Sequence, residues 1–174
     1  GNWSAWSDYG NSHEYFGNGA PPGSNVATYV SLAQLVSPQQ KVIATEGGYY
    51  TLASATGVDQ LVQAKYDLTL LFDDWQAGIP ATYLFELLDE YADPTGANPG
   101  YHFGLFDSNG APKTAATAIH NLVALLNDTG SGTAPASLGY SIKGLPSTAR
   151  SMLLSKSNGD FVIAVWNDVQ LWNP

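Results

Sequence analysis

Apolar positions along the chain follow two different spacings. Leu61, Ala64, Leu68, Leu71 and Trp75 recur at alternating steps of three and four, which predicts a helix with one apolar face. Gly78 and Pro80 stand where that helix has to stop. Val26, Tyr29, Val30 and Ala33 predict an earlier helix, Asn25 to Val36, capped by Ser24 or Asn25 and stopped by Pro38. Ala115, Ala118, Ile119, Leu122 and Leu126 predict a third, from about Thr114 to Leu126. Between them lie continuous apolar runs. Lys41 to Thr45 and Ala81 to Leu87 read as strands buried on both faces, as in the middle of a parallel sheet. Residues 1–23 read as the end of a strand and a long loop. Leu88 to Pro112 reads as another loop, with Asp-Pro, Asn-Pro-Gly and Ser-Asn-Gly turn signals.

The pattern changes after Asn127. A linker-like stretch, residues 128–137, leads to three short runs at Leu138–Ile142, Ser151–Leu154 and Phe161–Trp166. Ser157-Asn158-Gly159-Asp160 supplies a hairpin turn between the last two. The expected organisation is therefore βα units over residues 1–127, the linker, and a β region over residues 138–174 that forms part of a sandwich. Alternating βα units predict an α/β fold with a parallel sheet, whose ligands meet the chain where strands end.

Composition narrows the chemistry. Hydrophobic residues make up 44% of the chain, enough for a packed core. Charged residues are only 12%, about half the usual share, whereas aromatics reach 12%. Few charges with many Trp, Tyr, Gly, Asn and Ser suit a protein that handles neutral sugars, whose C–H faces stack on rings. A net charge of −9 argues against nucleic acid and against a basic membrane-surface segment, and no apolar run approaches a membrane span. Without cysteine there is no disulfide framework and no thiolate metal site. The chain begins at Gly1, so either a leader was removed or it is a piece of something longer. No phosphate loop, G-x-S-x-G elbow or helical His pair occurs, and no cofactor or metal is expected.

Two carboxylates stand at predicted strand ends. Glu46 follows Val42-Ile43-Ala44-Thr45, and Gly47-Gly48 after it lets backbone or ligand approach closely. Tyr49 and Tyr50 are phenols able to bond a carboxylate or stack on a ring. Glu86 interrupts Tyr83-Leu84-Phe85 and Leu87-Leu88, where a carboxylate needs a partner. Asp89 and Glu90 open the long loop and are expected to point to water. Neighbouring strand ends allow the separation of about 5–5.5 Å that retaining glycosidases use, with one carboxyl's pKa raised by the other. His13, in Asn11-Ser12-His13-Glu14-Tyr15, reads first as an ordinary hydrogen-bonding residue; with Tyr15 it suits the wall of a sugar site. Trp3 and Trp6 are candidate stacking surfaces. Trp75 is weaker, because its helical spacing assigns it to the core. His102 and His120 lack metal-site spacing, and Asp107-Ser108-Asn109-Gly110 is a plain turn rather than a calcium loop.

Three segments carry a resemblance. Residues Asp8 to Tyr15 with Gly19-Ala20-Pro21-Pro22, residues Val42 to Tyr49, and Tyr83 to Glu90 with His102-Phe103-Gly104-Leu105-Phe106-Asp107 and Pro112-Lys113 resemble the sixth, seventh and eighth strands of (β/α)8-barrel glycoside hydrolases. The family is the retaining clan that includes cellulases, mannanases and xylosidases. The resemblance implies about three of a barrel's eight βα units, a secreted (extracellular or periplasmic) hydrolase of β-linked polysaccharide, and Glu46 as nucleophile. It implies His13, Tyr15 and Tyr49 as groups that position nucleophile and sugar. The family's acid/base lies on strand four as an Asn-Glu pair, and no Asn-Glu occurs here, which leaves Glu86 as the local candidate. Three units leave open sheet edges, so self-association is expected. The alternatives are a non-catalytic glycan-binding module and an inactive half-barrel that oligomerises through those edges.

Overall fold

The computed structural model describes residues 1–52, 56–131 and 137–173, Ser24 by its backbone alone. It is a mixed α/β structure with two small sheets. The element order is β1 (Gly10–Tyr15), α1 (Gly23–Gln34), β2 (Val42–Gly48), α2 (Gln60–Gln76), α3 (Thr114–Leu126), β3 (Ala149–Ser155) and β4 (Phe161–Asn167), with short 3-10 turns at Gly17–Gly19 and Pro99–Tyr101.

β1 and β2 pair in parallel, in line with the expected parallel sheet. Residues 81–85 lie along the other side of β2. Ala44 N donates to Ala81 O at 3.0 Å, Tyr83 N to Ala44 O at 2.8 Å and Phe85 N to Gly47 O at 2.8 Å. The strand expected from Ala81 to Leu87 is thus shorter and less regular. Past a cis Phe85–Glu86 peptide the chain leaves β2. Leu105 N then donates to Glu86 O at 2.9 Å and Phe106 N to Leu87 O at 3.0 Å.

Helix boundaries test the cap signals. α1 starts at Gly23 and ends at Gln34, two residues before each expected limit. Pro22 precedes it and no side chain caps it. The Asn25 amide lies inside the first turn and donates to Pro21 O at 2.9 Å, while the Ser24 side chain is outside the described residues. α2 has a cap the sequence reading missed: Asp59 accepts from Val62 N at 2.7 Å. Its other end is as expected, with Gly78 at φ 83° bonding back to Trp75 O.

The buried face of α2 differs from the apolar stripe. Gln63, Tyr66, Asp67, Leu70, Asp73 and Asp74 turn inward, and Leu61 and Trp75 are more than half exposed. Trp75 is therefore not a core residue. The rotation places polar side chains where partners wait: Gln63 donates to Tyr49 O at 2.8 Å, Asp74 accepts from Thr82 Oγ1 at 2.6 Å, and Asp73 accepts from Trp166 Nε1 at 2.9 Å. The core joins Phe16, Val26, Ala44, Tyr49, Val58, Val62, Tyr66, Leu70 and Ile79, with Tyr49 tilted on Phe16 and Tyr66.

β3 and β4 form the expected antiparallel hairpin, closed by Lys156 to Asp160 with Gly159 at φ 90°. The run Leu138–Ile142 is not a strand, and residues 132–136 of the expected linker lie outside the described residues. The hairpin and the chain after it dock on the helices: Trp166 stacks on Phe72, Arg150 meets Asp73 at 3.6 Å, and Leu171 N donates to the Tyr66 hydroxyl at 2.7 Å. No described helix is long and apolar enough to cross a membrane.

Candidate active site

The parallel sheet has two unlike faces. On β1, Gly10, Ser12 and Glu14 are buried, while Asn11 and His13 are exposed and Tyr15 is half-buried. Simple alternation along β2 would send Glu46 to the same side as buried Val42 and Ala44. The register prevents this: Ser12 lies opposite Ala44, but His13 lies opposite Glu46. Thr45 is the extra residue of a bulge, and the bulge turns Glu46 to the open face beside His13 and Tyr15. Thr45 Oγ1 donates to Asn11 Oδ1 at 2.6 Å, which anchors the bulged residue on that same side.

Glu46 is half-buried and its Oε2 is held by two side chains of β1. The Tyr15 hydroxyl donates to it at 2.8 Å, and His13 Nδ1 lies 3.4 Å away. Burial pushes the Tyr15 phenol well above its ordinary pKa, and the bond to Glu46 and the charges of Glu46 and Glu86 push it further. Tyr15 therefore stays a neutral donor. Its ring is fixed edge-on by Phe103 at 5.4 Å and Phe85 at 6.2 Å, and its carbonyl accepts from Tyr29 Oη at 2.9 Å.

Gly47-Gly48 serve a purpose other than ligand approach. A Cβ on Gly47 would come within 3.3 Å of Glu14 O, and one on Gly48, at φ 134°, within 3.1 Å of Phe85 O. The glycines let the neighbouring chain close on β2 just beyond Glu46.

Glu86 stands one residue past the end of the 81–85 pairing. Its Oε1 is buried and accepts no hydrogen bond. Desolvation raises its pKa, the charges of Glu90 and Asp89 raise it further, and Lys113 opposes them. A carboxyl in this position keeps its proton more readily than an ordinary glutamate. Of the two carboxyls, Glu46 bonds the Tyr15 phenol directly, and the charge of Glu86 raises that phenol's pKa a little more.

Asp89 does not point to water. It is buried, pairs with Lys113 Nζ at 2.7 Å and accepts from Gly104 N at 2.7 Å. Lys113 spends its other protons on Thr51 Oγ1 at 2.9 Å and His102 O at 3.1 Å. This anchor ties the loop after Glu86 to the chain after β2. Phe103 and Lys113 lie in segments that carry the resemblance, but neither is assigned a role from sequence, because a lone lysine before a helix and a lone phenylalanine in a loop give no local signal.

Not every expected site residue joins the group. Tyr49 is 3% exposed, and its hydroxyl donates to Ala20 O at 2.7 Å, so its ring belongs to the core. It reaches only the back of a cavity of about 150 Å³ shared with Tyr15, Tyr50, Gly48 and Phe103. Trp3 and Trp6 are exposed but lie at the opposite end of the strands. Trp3 N donates to Val36 O at 2.6 Å, and nearby Ser4 bonds Gln39 and Gln40, ahead of β2. The strand from Val42 to Glu46, about 13 Å, lies between that end and the carboxylate, so the structure does not bring Trp3 or Trp6 to Glu46. His102 pairs with Asp93 at 3.2 Å, and His120 is exposed. Among the described residues no group of three His, Cys, Asp or Glu could hold a metal ion. A larger cavity of about 500 Å³ between α2, α3 and β4 is lined by apolar side chains such as Leu68, Phe72, Leu122 and Val165, with Lys65 its one ionisable group. It lacks the groups for acid–base work.

No protein-family model matches the chain, and no curated protein matches it in sequence. Solved structures do match in fold. A family 39 glycoside hydrolase from the gut symbiont Bacteroides cellulosilyticus WH2 aligns over 94% of this chain and 34% of its own, with a TM-score of 0.63 at 16% identity. The fold is glycoside-hydrolase-like. A family 2 β-galacturonidase from Eisenbergiella tayi aligns over 71% of this chain and 25% of its own, with a TM-score of 0.54 at 14% identity. A family 17 β-1,3-glucanosyltransferase from Rhizomucor miehei aligns over 62% and 42%, with a TM-score of 0.50 at 16% identity. The chain spans less than half the length of each. At these identities the likeness concerns the fold.

Proposed function

We propose that the chain carries the nucleophile end of a retaining glycoside hydrolase acting on β-linked polysaccharide, with Glu46 as nucleophile. The observation that carries this reading is the seating of Glu46 at the end of a parallel strand, under the Tyr15 hydroxyl at 2.8 Å and His13 at 3.4 Å. Glu46 Oε2 is steadied by its two neighbours while Oε1 faces the anomeric carbon. Attack breaks the bond to the leaving oxygen and leaves a covalent glycosyl-enzyme. Glu86 supplies the proton to that oxygen and then takes one from the water that releases the sugar. Its unpaired, buried oxygen and raised pKa favour the acid form at the start of the cycle.

In this reading residues 1–127 are three βα units of a barrel, residues 128–137 a linker and residues 138–174 part of a β-sandwich. The substrate is a neutral β-glucan of cellulose type. An active-site mutant of the R. miehei transferase is described in complex with laminaritriose, which is a β-glucan fragment. The protein acts outside the cell or in the periplasm, and it self-associates through its sheet edges.

The test is release of reducing sugar from β-glucans, xylan and mannan by wild type beside Glu46→Gln. The expected result is β-glucan hydrolysis that falls more than about a thousandfold in the variant. Equal hydrolysis by both would sink the assignment of Glu46.

A second reading rests on the edge of the sheet. Among the described residues β1 pairs with β2 alone, so its outer edge is open. A half-barrel that binds glycan or another copy without turnover fits that edge. Binding to insoluble polysaccharide with no sugar released, or a concentration-dependent dimer in sedimentation with no activity, would favour it.

A further inference from the structure

The covered face of the sheet holds two carboxyls that the proposed reaction does not use. Glu14 on β1 and Asp74 on α2 are both fully buried. One oxygen of each is satisfied by a hydroxyl. Ser12 Oγ donates to Glu14 Oε1 at 2.8 Å, and Thr82 Oγ1 donates to Asp74 Oδ2 at 2.6 Å. The remaining oxygens, Glu14 Oε2 and Asp74 Oδ1, receive no other donor. Ser12 and Thr82 stand opposite Ala44 from its two sides, so their hydroxyls bring the two carboxyls together over Ala44, where each affects the other's titration.

Two ionised carboxylates could not satisfy those two oxygens, since both offer only acceptors, and like charges brought together away from water repel. No lysine, arginine or histidine acts on either group. From β2 they face Ala44 and Gly47, and from residues 81–85 they face Thr82. On α2 the adjacent acid is Asp73, which already engages Arg150 and Trp166. The titratable group of α1 is Tyr29, which is spent on Tyr15 O.

We propose that Glu14 and Asp74 share one proton, and that this acid–carboxylate clamp makes the seating of β1 on α2 and on residues 81–85 pH-dependent. The clamp stands directly behind the active-site wall, because His13 and Tyr15 are the residues on either side of Glu14. It has its own readouts, none of which needs a substrate.

The sign follows from where the protons sit. Burial raises both groups, and burial first and the facing Glu14 second push Asp74 up to about 8 from 3.8. At low pH folded and unfolded chains are both protonated and the pair costs nothing. As pH rises the unfolded chain releases protons that the folded chain keeps, so stability falls until the shared proton leaves, and it is flat beyond. Buried Asp67 and Asp73 are also raised and add declines of the same sign, so the pair is read as a difference between wild type and variant.

Glu14→Gln and Asp74→Asn replace the shared proton with a permanent N–H donor and leave an acceptor for Ser12 or Thr82. Tm and the protection factors of the β1 amides are measured by thermal melts and hydrogen exchange between about pH 5 and pH 9. The expected result is that wild type loses Tm and β1 protection with rising pH, while the variants lose about half as much or less. Equal losses in wild type and variants would overturn the clamp. A carboxyl-carbon NMR titration of wild type stands even if the variants fail to fold. One of the two carboxyls should titrate several units above the other, and two midpoints in the ordinary carboxylate range would refute the shared proton.

Discussion

The two faces of one small sheet treat a pair of carboxyls in opposite ways. On the covered face Glu14 and Asp74 meet each other, with hydroxyls behind them and no cation in reach. On the open face donors hold Glu46, while Glu86, just past the 81–85 pairing, keeps a buried oxygen without a donor. The first arrangement retains a proton and fastens elements together. The second leaves one carboxylate oriented and another desolvated, which is the division of labour that glycoside cleavage needs. Chemical type is the same on both faces; burial and the neighbouring donors decide the role.

The contrast breaks most severely at Lys113, the cation whose charge acts on both buried Asp67 and Glu86. Lys113→Met strands Asp89 in a buried position, with Gly104 N as its remaining donor among the described residues. A loss of about 3–5 kcal/mol is expected in denaturant melts, as for other broken buried pairs. A change below about 1 kcal/mol would mean that water reaches Asp89 and the anchor is weak.

Tyr15→Phe sharpens the open side alone. It removes a hydroxyl from a charged acceptor at 2.8 Å and keeps the ring against Phe103. Such a bond is worth about 1.5–3 kcal/mol, so kcat/KM on a β-glucan should fall roughly ten- to hundredfold. Tm should move little. A large Tm loss with kcat/KM unchanged would make Tyr15 a packing residue.

Trp6→Ala is the smallest change expected. Trp6 is 83% exposed and belongs to the far end of the strands. Stability should stay within about 0.5 kcal/mol and turnover should be unaltered. A marked rise in KM would place sugar at that end after all.

Much of this was legible in the chain. α2 and α3 follow from their periods, and Glu46 is marked by a strand ending in a carboxylate and two glycines. What escaped is information that lies at long range. Of the stripe Leu61, Ala64, Leu68, Leu71 and Trp75, Ala64 is buried and Leu68 and Leu71 half-buried, but both ends are exposed, because Asp73, Asp74 and Gln63 find partners on distant segments that no local period encodes. The Asp89–Lys113 pair spans a loop, so Asp89 looked solvated. The bulge at Thr45 leaves no mark in composition, yet without it Glu46 would face the helices. His13 and Tyr15 were readable as candidates, but only the parallel register shows that both reach the same carboxylate oxygen.

The most direct test of Glu46 as nucleophile is to trap the covalent intermediate. The protein is incubated with a β-glucoside fluorinated beside its anomeric carbon, which slows release of the sugar, and is then digested for peptide mass mapping. The account predicts one fluorosugar on the peptide containing Glu46, and none in Glu46→Gln. An adduct on another carboxylate, or no adduct on wild type, would contradict it.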